Sequence, residues 1–475
     1  MRTLSIMSKD GTGESLSTDT VDHFKDNMRG DLIIPEDDQY ESARKLWNGM
    51  IDKKPALIAR CTGVEDVVTA VNFSKEHNLL FSIRSGGHNV AGTAIAEGGL
   101  VVDLSAMRNV TVDPDRRMAH AEGGVRLGDL DRETQKFNLA VPVGVVSATG
   151  VAGLTLHGGT GWLLRKHGLT IDNLLSVDIV TADGQLKKAS ENENSDLFWA
   201  IRGGGGNFGV VTGFEFKLHP VGPKVWMSVP MYPLERAKEV MSACCEYMQK
   251  APEDLMVLGV YWSAPEVPEV PARYHGTPVV ILLGCYTGPF EEGEKVIAPL
   301  REIGTPIADL SAPMTWVEAQ QFLDEDYPDG AFYYWKSIYM DHLDSEVLEA
   351  LSRHTAARPS SESSIDVWML KGAMSRINPG DTAFFKRDAP YMLGIEANWH
   401  KREDATANID WAKNVVKDMQ RFTKGGSYLN FPGFVEEREA LLQGSYGTNL
   451  ERLRAIKAKY DPLNFFPGIL NIEPK

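Results

Sequence analysis

A strand, a helix and a second strand follow one another within about thirty residues, and the second strand runs directly into Arg84-Ser85-Gly86-Gly87-His88-Asn89. Ala56-Leu57-Ile58-Ala59-Arg60 forms the first strand, and Leu79-Leu80-Phe81-Ser82-Ile83 reads as a short buried second one. Between them Val64, Val67, Val68, Val71 and Phe73 recur near helical spacing up to His77-Asn78, where the histidine and asparagine suit a helix end. A unit of this kind presents ligands at its strand ends. Gly86-Gly87 lets the backbone turn sharply and approach a ligand closely, and it sets the imidazole of His88 at that point. Leu100-Val101-Val102-Asp103-Leu104 follows as a further strand after a small-residue loop.

The same restriction returns downstream. From Pro142 through Val143-Gly144-Val145-Val146-Ser147-Ala148-Thr149-Gly150-Val151-Ala152-Gly153 to Trp162, few residues are bulky, so the segment packs backbone against backbone or lies against a flat ligand. Val177 to Leu186 is a hairpin by its Asp183-Gly184 turn. A short helix at Ser195–Ile201 leads into Gly203-Gly204-Gly205-Gly206-Asn207-Phe208-Gly209, and Val210 to Leu218 alternates like a strand. Gly204, Gly206 and Gly209 match G-x-G-x-x-G, but a dinucleotide fingerprint needs the strand before and the helix after, the reverse of the order here. A nicotinamide-binding Rossmann unit is therefore rejected.

At 475 residues the chain exceeds the usual size of one hydrophobic core, and His219-Pro220-Val221-Gly222-Pro223-Lys224 marks a boundary. Beyond it, longer helices such as Leu234 to Gln249 alternate with strands such as Val279 to Tyr286 and Ala331 to Lys336, which suits helices on an antiparallel sheet. The net charge of −16 argues against nucleic acid or an anionic membrane as the main partner. Cys61, Cys244, Cys245 and Cys285 show no zinc or disulfide spacing, and the residues after Met1 turn polar before a signal core forms, so a cytoplasmic protein is expected. A nucleophile elbow, a phosphate loop and a zinc helix are all missing from the sequence. What remains is a glycine-lined surface with one well-presented imidazole, suited to a bulky planar cofactor held by backbone amides.

Arg84 to Asn89, the segment 142–161, Arg165-Lys166-His167-Gly168-Leu169 with Asp172-Asn173, Gly205 to Val211, and the ending Tyr428-Leu429-Asn430 to Asp461-Pro462-Leu463-Asn464-Phe465-Phe466 together resemble the berberine-bridge-enzyme-like branch of the vanillyl-alcohol-oxidase (PCMH-type FAD-binding) flavoproteins. The resemblance implies an α+β fold: an FAD-binding domain from residues 1–219 completed by 426–475, with 220–425 as a substrate domain whose antiparallel sheet is covered by helices. It also implies FAD linked covalently through His88. Further cofactor contacts implied by it are Arg84, Ser85, Gly86, Gly87 and Asn89; Gly144, Val145, Ser147, Thr149, Gly150, Gly153, Leu154 and His157; Gly209 and Val211; and Asn430 at the pyrimidine edge. No metal is expected.

Members with a second link carry cysteine where this chain has Val146, so the pattern is that of the singly histidine-linked bacterial members. Many members also carry a catalytic tyrosine where this chain has Phe431. Tyr428 and Lys371 are the remaining catalytic candidates, the latter placed on a substrate-domain strand; Trp335 and Tyr334 are candidates for lining a pocket. The expected activity is hydride removal from a C–H beside oxygen or nitrogen in an alcohol, sugar or amine, followed by electron transfer to O2 to give H2O2. A dehydrogenase using another acceptor, with Thr149 and Thr160 near the oxygen-reactive region, and a flavin-binding protein without turnover are the alternatives.

Overall fold

A computed structural model describes residues 3–423 and 425–475; Met1, Arg2 and Lys424, which fall within the expected N-terminal and substrate segments, lie outside the described residues. The fold is mixed α+β. Leu57–Arg60, Leu100–Asp103 and Phe81–Arg84 form the parallel part of a four-stranded sheet, with Asp31–Ile33 antiparallel at its edge. The helix Val64–Glu76 makes the expected crossover, and its apolar side joins Val67, Ala70, Val71 and Phe73 to the core beneath this sheet. Between the strands Asp31–Ile33 and Leu57–Arg60, a short helix spans Tyr40–Ala43. Leu46, Trp47 and Asn48 pack under the glycine loop, the Trp47 backbone N–H donating to the Gly87 carbonyl at 3.3 Å.

A second, antiparallel sheet orders Leu186–Ser190, Leu174–Val180, Val210–Lys217, Met118–Glu122 and Val110–Asp113. Its core takes in Ser195–Ile201 and, from the far end of the chain, Leu442, Leu453, Ile456 and Ile472. Phe465 and Phe466 reach the core under the four-stranded sheet. The helices Arg438–Tyr446 and Leu450–Tyr460 thus pack on the N-terminal part, while Ser427, Tyr428 and Phe431 bond to Ser337 of the nine-stranded sheet.

The nine-stranded sheet runs Ala308–Asp309, Pro230–Pro233, Pro278–Tyr286, Leu255–Ser263, Ser364–Met369, Tyr391–Trp399 and Phe332–Met340 along its path, with Lys224–Ser228 and Ala312–Thr315 beside it. Alternation divides its two faces. Ile365, Val367, Leu393, Ile395, Tyr334 and Ile338 pack with residues of the helices Ala237–Met248, Ser345–Ala356 and Ala405–Met419. The opposite face carries Asp366, Trp368, Glu396 and Trp335 toward the glycine segments. Lys371 falls beyond the strand end at Met369, exposed and with φ 73°, so its expected place on a strand over the site is corrected.

A buried polar junction fastens the sheet to the N-terminal part. Asp131, in the helix Leu127–Gln135, accepts from Trp316 Nε1 and Gln320 Nε2, both at 3.1 Å. Gln320 Nε2 also donates to the Gly144 carbonyl at 3.1 Å. Ser147 donates through its N–H to Asp324 at 2.7 Å and through its hydroxyl to the same carboxylate.

Candidate active site

The loop after Phe81–Arg84 lies directly on the turn that starts the helix Val151–Leu156. A Cβ on Gly86 would stand 2.4 Å from the Gly150 nitrogen, and one on Gly150 would stand 2.5 Å from the Gly86 nitrogen. Gly150 has φ −73° and ψ 132°, a conformation any residue adopts, so the close approach alone demands glycine there. Gly161 is held likewise, its Cβ position 1.8 Å from the Val143 oxygen. Gly153 and Gly206 differ: a Cβ on either would meet no protein atom within 4 Å, and both line a cavity of about 1710 Å³, open mouth included. The small-residue segment therefore packs backbone against backbone at Gly150 and Gly161 and leaves a bare cavity wall at Gly153.

His88 projects into this cavity. Its ring stacks on Trp47 at 3.9 Å, and Trp47 stacks in turn on Tyr333 at 3.7 Å. Asn48 Nδ2 donates to the carbonyls of Val90 and Tyr333 at 2.8 and 2.9 Å, which fixes the histidine loop to the strand Phe332–Met340. Burial pushes the His88 pKa down to about 3, and its buried Nε2 has no hydrogen-bond partner among the described residues. Ser85 Oγ, on the same wall, is also buried and unpartnered. Buried polar atoms of a folded protein are normally paired. Two such atoms on the wall of a glycine-lined cavity fit a bound polar group, and the flat, small-residue wall fits a planar ring system.

The opposite wall is built by the nine-stranded sheet. Asp366 and Glu396 sit on adjacent strands, diagonal to each other across the Asp366–Gly394 pair. A Cβ at Gly394 would lie 3.4 Å from Phe431 Cε2, 3.5 Å from Glu396 Oε1 and 3.7 Å from Asp366 Cβ, so these groups converge on one spot. Burial raises both carboxyl pKa values, and each is raised further by acidic neighbours, Asp366 acting on Glu396. Tyr327 donates its hydroxyl to Glu396 Oε2 at 2.8 Å, whereas Asp366 Oδ1 and Trp368 Nε1 are buried without partners among the described residues. Leu258, Leu323, Trp335 and Phe431 complete this wall.

The expected cofactor contacts largely meet at the cavity: Ser85, Gly86, Gly87, His88, Asn89, Gly144, Val145, Thr149, Gly150, Gly153, Leu154, His157, Gly209, Val211 and Asn430 all line it. The side chain of Arg84 turns away, donating to the Ala43 carbonyl, with Nε 3.8 Å from Asp103. Ser147 is occupied by Asp324 as described. His157 holds the Gly153 carbonyl at 3.0 Å, while His167 stacks on His219 at 3.7 Å, outside the cavity wall. Tyr428 lines the cavity, but its hydroxyl accepts from Gly159 N–H at 3.1 Å and Asn430 Nδ2 at 2.8 Å, and burial raises its pKa. Trp335 is on the cavity wall; Tyr334 is on the helix face, bonded to Glu436 at 2.8 Å. Asp366, Glu396, Tyr327 and Trp47 were not singled out from sequence, because each is a lone polar or aromatic residue in a stretch with an ordinary strand or helix reading.

Comparison with known proteins converges on the same reading. The FAD binding domain profile matches residues 55–190, and the profile described as berberine and berberine like matches residues 427–473. An FAD-linked oxidoreductase of Dictyostelium discoideum is 32% identical over 463 residues, spanning 96% of this chain and 98% of its own. (R)-6-hydroxynicotine oxidase of Paenarthrobacter nicotinovorans is 30% identical over 459 residues, 94% of this chain and 98% of its own. The crystal structure of 6-hydroxy-D-nicotine oxidase from Arthrobacter nicotinovorans superposes with a TM-score of 0.84 at 28% identity, covering 94% of this chain and 98% of that one. Xylooligosaccharide oxidase from Myceliophthora thermophila, in complex with xylobiose, gives 0.83 at 26% identity over 96% and 99%. With relatives aligned from end to end and FAD-binding and berberine-like segments at the two ends of one cavity-bearing fold, this chain belongs to the berberine-bridge-enzyme-like FAD-linked oxidoreductases.

Proposed function

We propose that the protein is an oxidase whose FAD is attached covalently at His88 alone, and that it oxidises a small molecule at a C–H bond beside oxygen or nitrogen, passing the electrons to O2 to give H2O2. One observation carries the reading: a single cavity has the unpartnered Nε2 of His88 on one wall and the buried pair Asp366 and Glu396 on the other. Relatives that are named oxidases support the choice of O2 as acceptor. Val146 lines the cavity where members with a second link have cysteine, which leaves His88 as the single attachment.

FAD, when bound, supplies the hydride acceptor. Residues 1–219 and 426–475 would hold it, through the glycine loops 85–89, 144–154 and 206–211 together with Asn430, while 220–425 with Phe431 supply the substrate wall. Asp366 takes the part of base, because its Oδ1 is free of partners and its carboxylate, once ionised in a dry site, is a strong proton acceptor. Tyr428 serves as a fixed hydrogen-bond acceptor that joins Gly159 to Asn430. Phe431 and Trp335 exclude water from the space between the carboxyls and the cofactor wall.

The test is the visible spectrum of purified protein before and after acid precipitation, beside His88→Ala. Yellow colour that stays in the wild-type pellet and leaves that of the variant is the expected result, followed by peroxide formation with a turned-over substrate. Colour lost from both pellets refutes the covalent link.

A further inference from the structure

Resting on the oxidoreductase reading, the substrate wall also has a chemical character of its own. Its acids are Asp366 and Glu396, and among the described residues no lysine or arginine lines the cavity. Glu396 has a partner in Tyr327, but Asp366 is only 5% exposed and its Oδ1 faces no donor, an acceptor left open in a closed place. Around the pair stand the rings of Trp335, Trp368, Tyr327 and Phe431. The segment whose ends, Leu323 and Tyr327, line the cavity carries Asp324, Glu325 and Asp326, in a chain of net charge −16.

We propose that the substrate is a small organic ammonium ion, bound with its N–H groups toward Asp366 and Glu396 and its carbon skeleton among the aromatic side chains. The argument is a comparison of costs. Two buried carboxyls beside one another repel when ionised, and a cation set between them relieves the repulsion and supplies Asp366 Oδ1 with its missing donor. Aromatic faces attract an ammonium as well, and strongly so where water is excluded. A sugar brings a hydroxyl on nearly every carbon, and each one buried without a partner costs about 1–3 kcal/mol. This wall offers few polar atoms to meet them: the two carboxyls, the Tyr327 hydroxyl already given to Glu396, and Trp368 Nε1. A neutral alcohol brings no counter-charge that would favour the ionised pair.

The experiment is calorimetric titration of the flavin-loaded full chain with benzylamine, benzyl alcohol and D-glucose at pH 7.5, in wild type, Glu396→Gln and Asp366→Asn/Glu396→Gln. The amine is expected to bind about tenfold or more tighter than the alcohol, with the preference reduced in the single variant and abolished in the double. Equal or tighter binding of the alcohol or of glucose by wild type overturns the proposal, and that comparison needs no variant to fold. A preference for amine that survives in a folded, flavin-loaded double variant overturns its placement between the carboxyls. Flavin absorbance read on the same samples separates the two levels. Protein that takes up no FAD refutes the oxidoreductase reading, whereas flavin-loaded protein that prefers the neutral ligand refutes the ammonium assignment alone.

Discussion

Gly150 and Gly153 lie three residues apart in sequence and should respond to alanine in opposite ways. At Gly150 the added methyl would lie 2.5 Å from the Gly86 nitrogen, 2.9 Å from the Gly86 Cα and 2.9 Å from Ser85 Oγ. Two of these are backbone atoms, which cannot swing aside, so the loop and the helix start must separate. Forced overpacking of this kind costs about 1–3 kcal/mol. Because the backbone angles of Gly150 suit alanine, none of that cost comes from strained φ or ψ. At Gly153, inside the helix Val151–Leu156, the methyl meets nothing within 4 Å, and replacing a helical glycine gains about 0.5–1 kcal/mol. That methyl, however, points into the cavity, where it takes up room the cofactor needs. Urea unfolding of flavin-free protein should therefore show Gly150→Ala less stable than wild type and Gly153→Ala equal or slightly more stable. Flavin per chain, measured by absorbance at saturating FAD, should fall in both. Gly150→Ala unfolding at the wild-type urea concentration would refute the interlock of the two loops; full flavin content in Gly153→Ala would remove the cofactor from this face of the helix.

Further outcomes follow from two buried groups. Burial raises the Asp131 pKa from 3.8 to about 7, so folding favours its protonated form, and this contribution is complete below about pH 4 and lost as pH rises through about 7. At about 1.4 kcal/mol per pH unit, wild type should be less stable at pH 8 than at pH 4 by up to about 4 kcal/mol through this group, and Asp131→Asn should flatten the urea-measured dependence; parallel profiles would contradict it. Tyr428→Phe removes the acceptor for Gly159 N–H and Asn430 Nδ2, and leaving such donors buried costs about 1–3 kcal/mol. If Tyr428 is a fixed acceptor rather than a base, the pH profile of flavin reduction in that variant keeps its midpoint; a displaced midpoint would return the tyrosine to proton transfer.

The parts of this molecule legible in its sequence are those where one residue type answers a local demand. Gly86 and Gly150 are glycine because backbone meets backbone, and the strand, helix and strand around them follow from apolar spacing alone. Their convergence on one cavity with Asn430, more than 270 residues away from Gly153, was implied by family resemblance and not by any local pattern. Trp47 was equally mute: past the helix Tyr40–Ala43 it stacks on His88 and Tyr333, partners about forty and nearly three hundred residues away that no local pattern announces. The substrate wall was hidden for a different reason. Every residue of the strands Ser364–Met369 and Phe332–Met340 except Phe332 is buried, so polarity does not mark which face is which. Facing is set by register and by which side the helices cover, and a shift of one residue exchanges the two sets. Tyr334 and Trp335 looked equivalent in sequence, yet one meets Glu436 under the helices and the other the cavity. Asp366 and Glu396 carry the same ambiguity, being single acids thirty positions apart whose meaning appears only when Gly394 brings them to one spot. A sheet buried on both faces thus conceals its chemistry from local pattern, and the carboxyl pair became visible only once pairing fixed which side chains look at the cofactor wall.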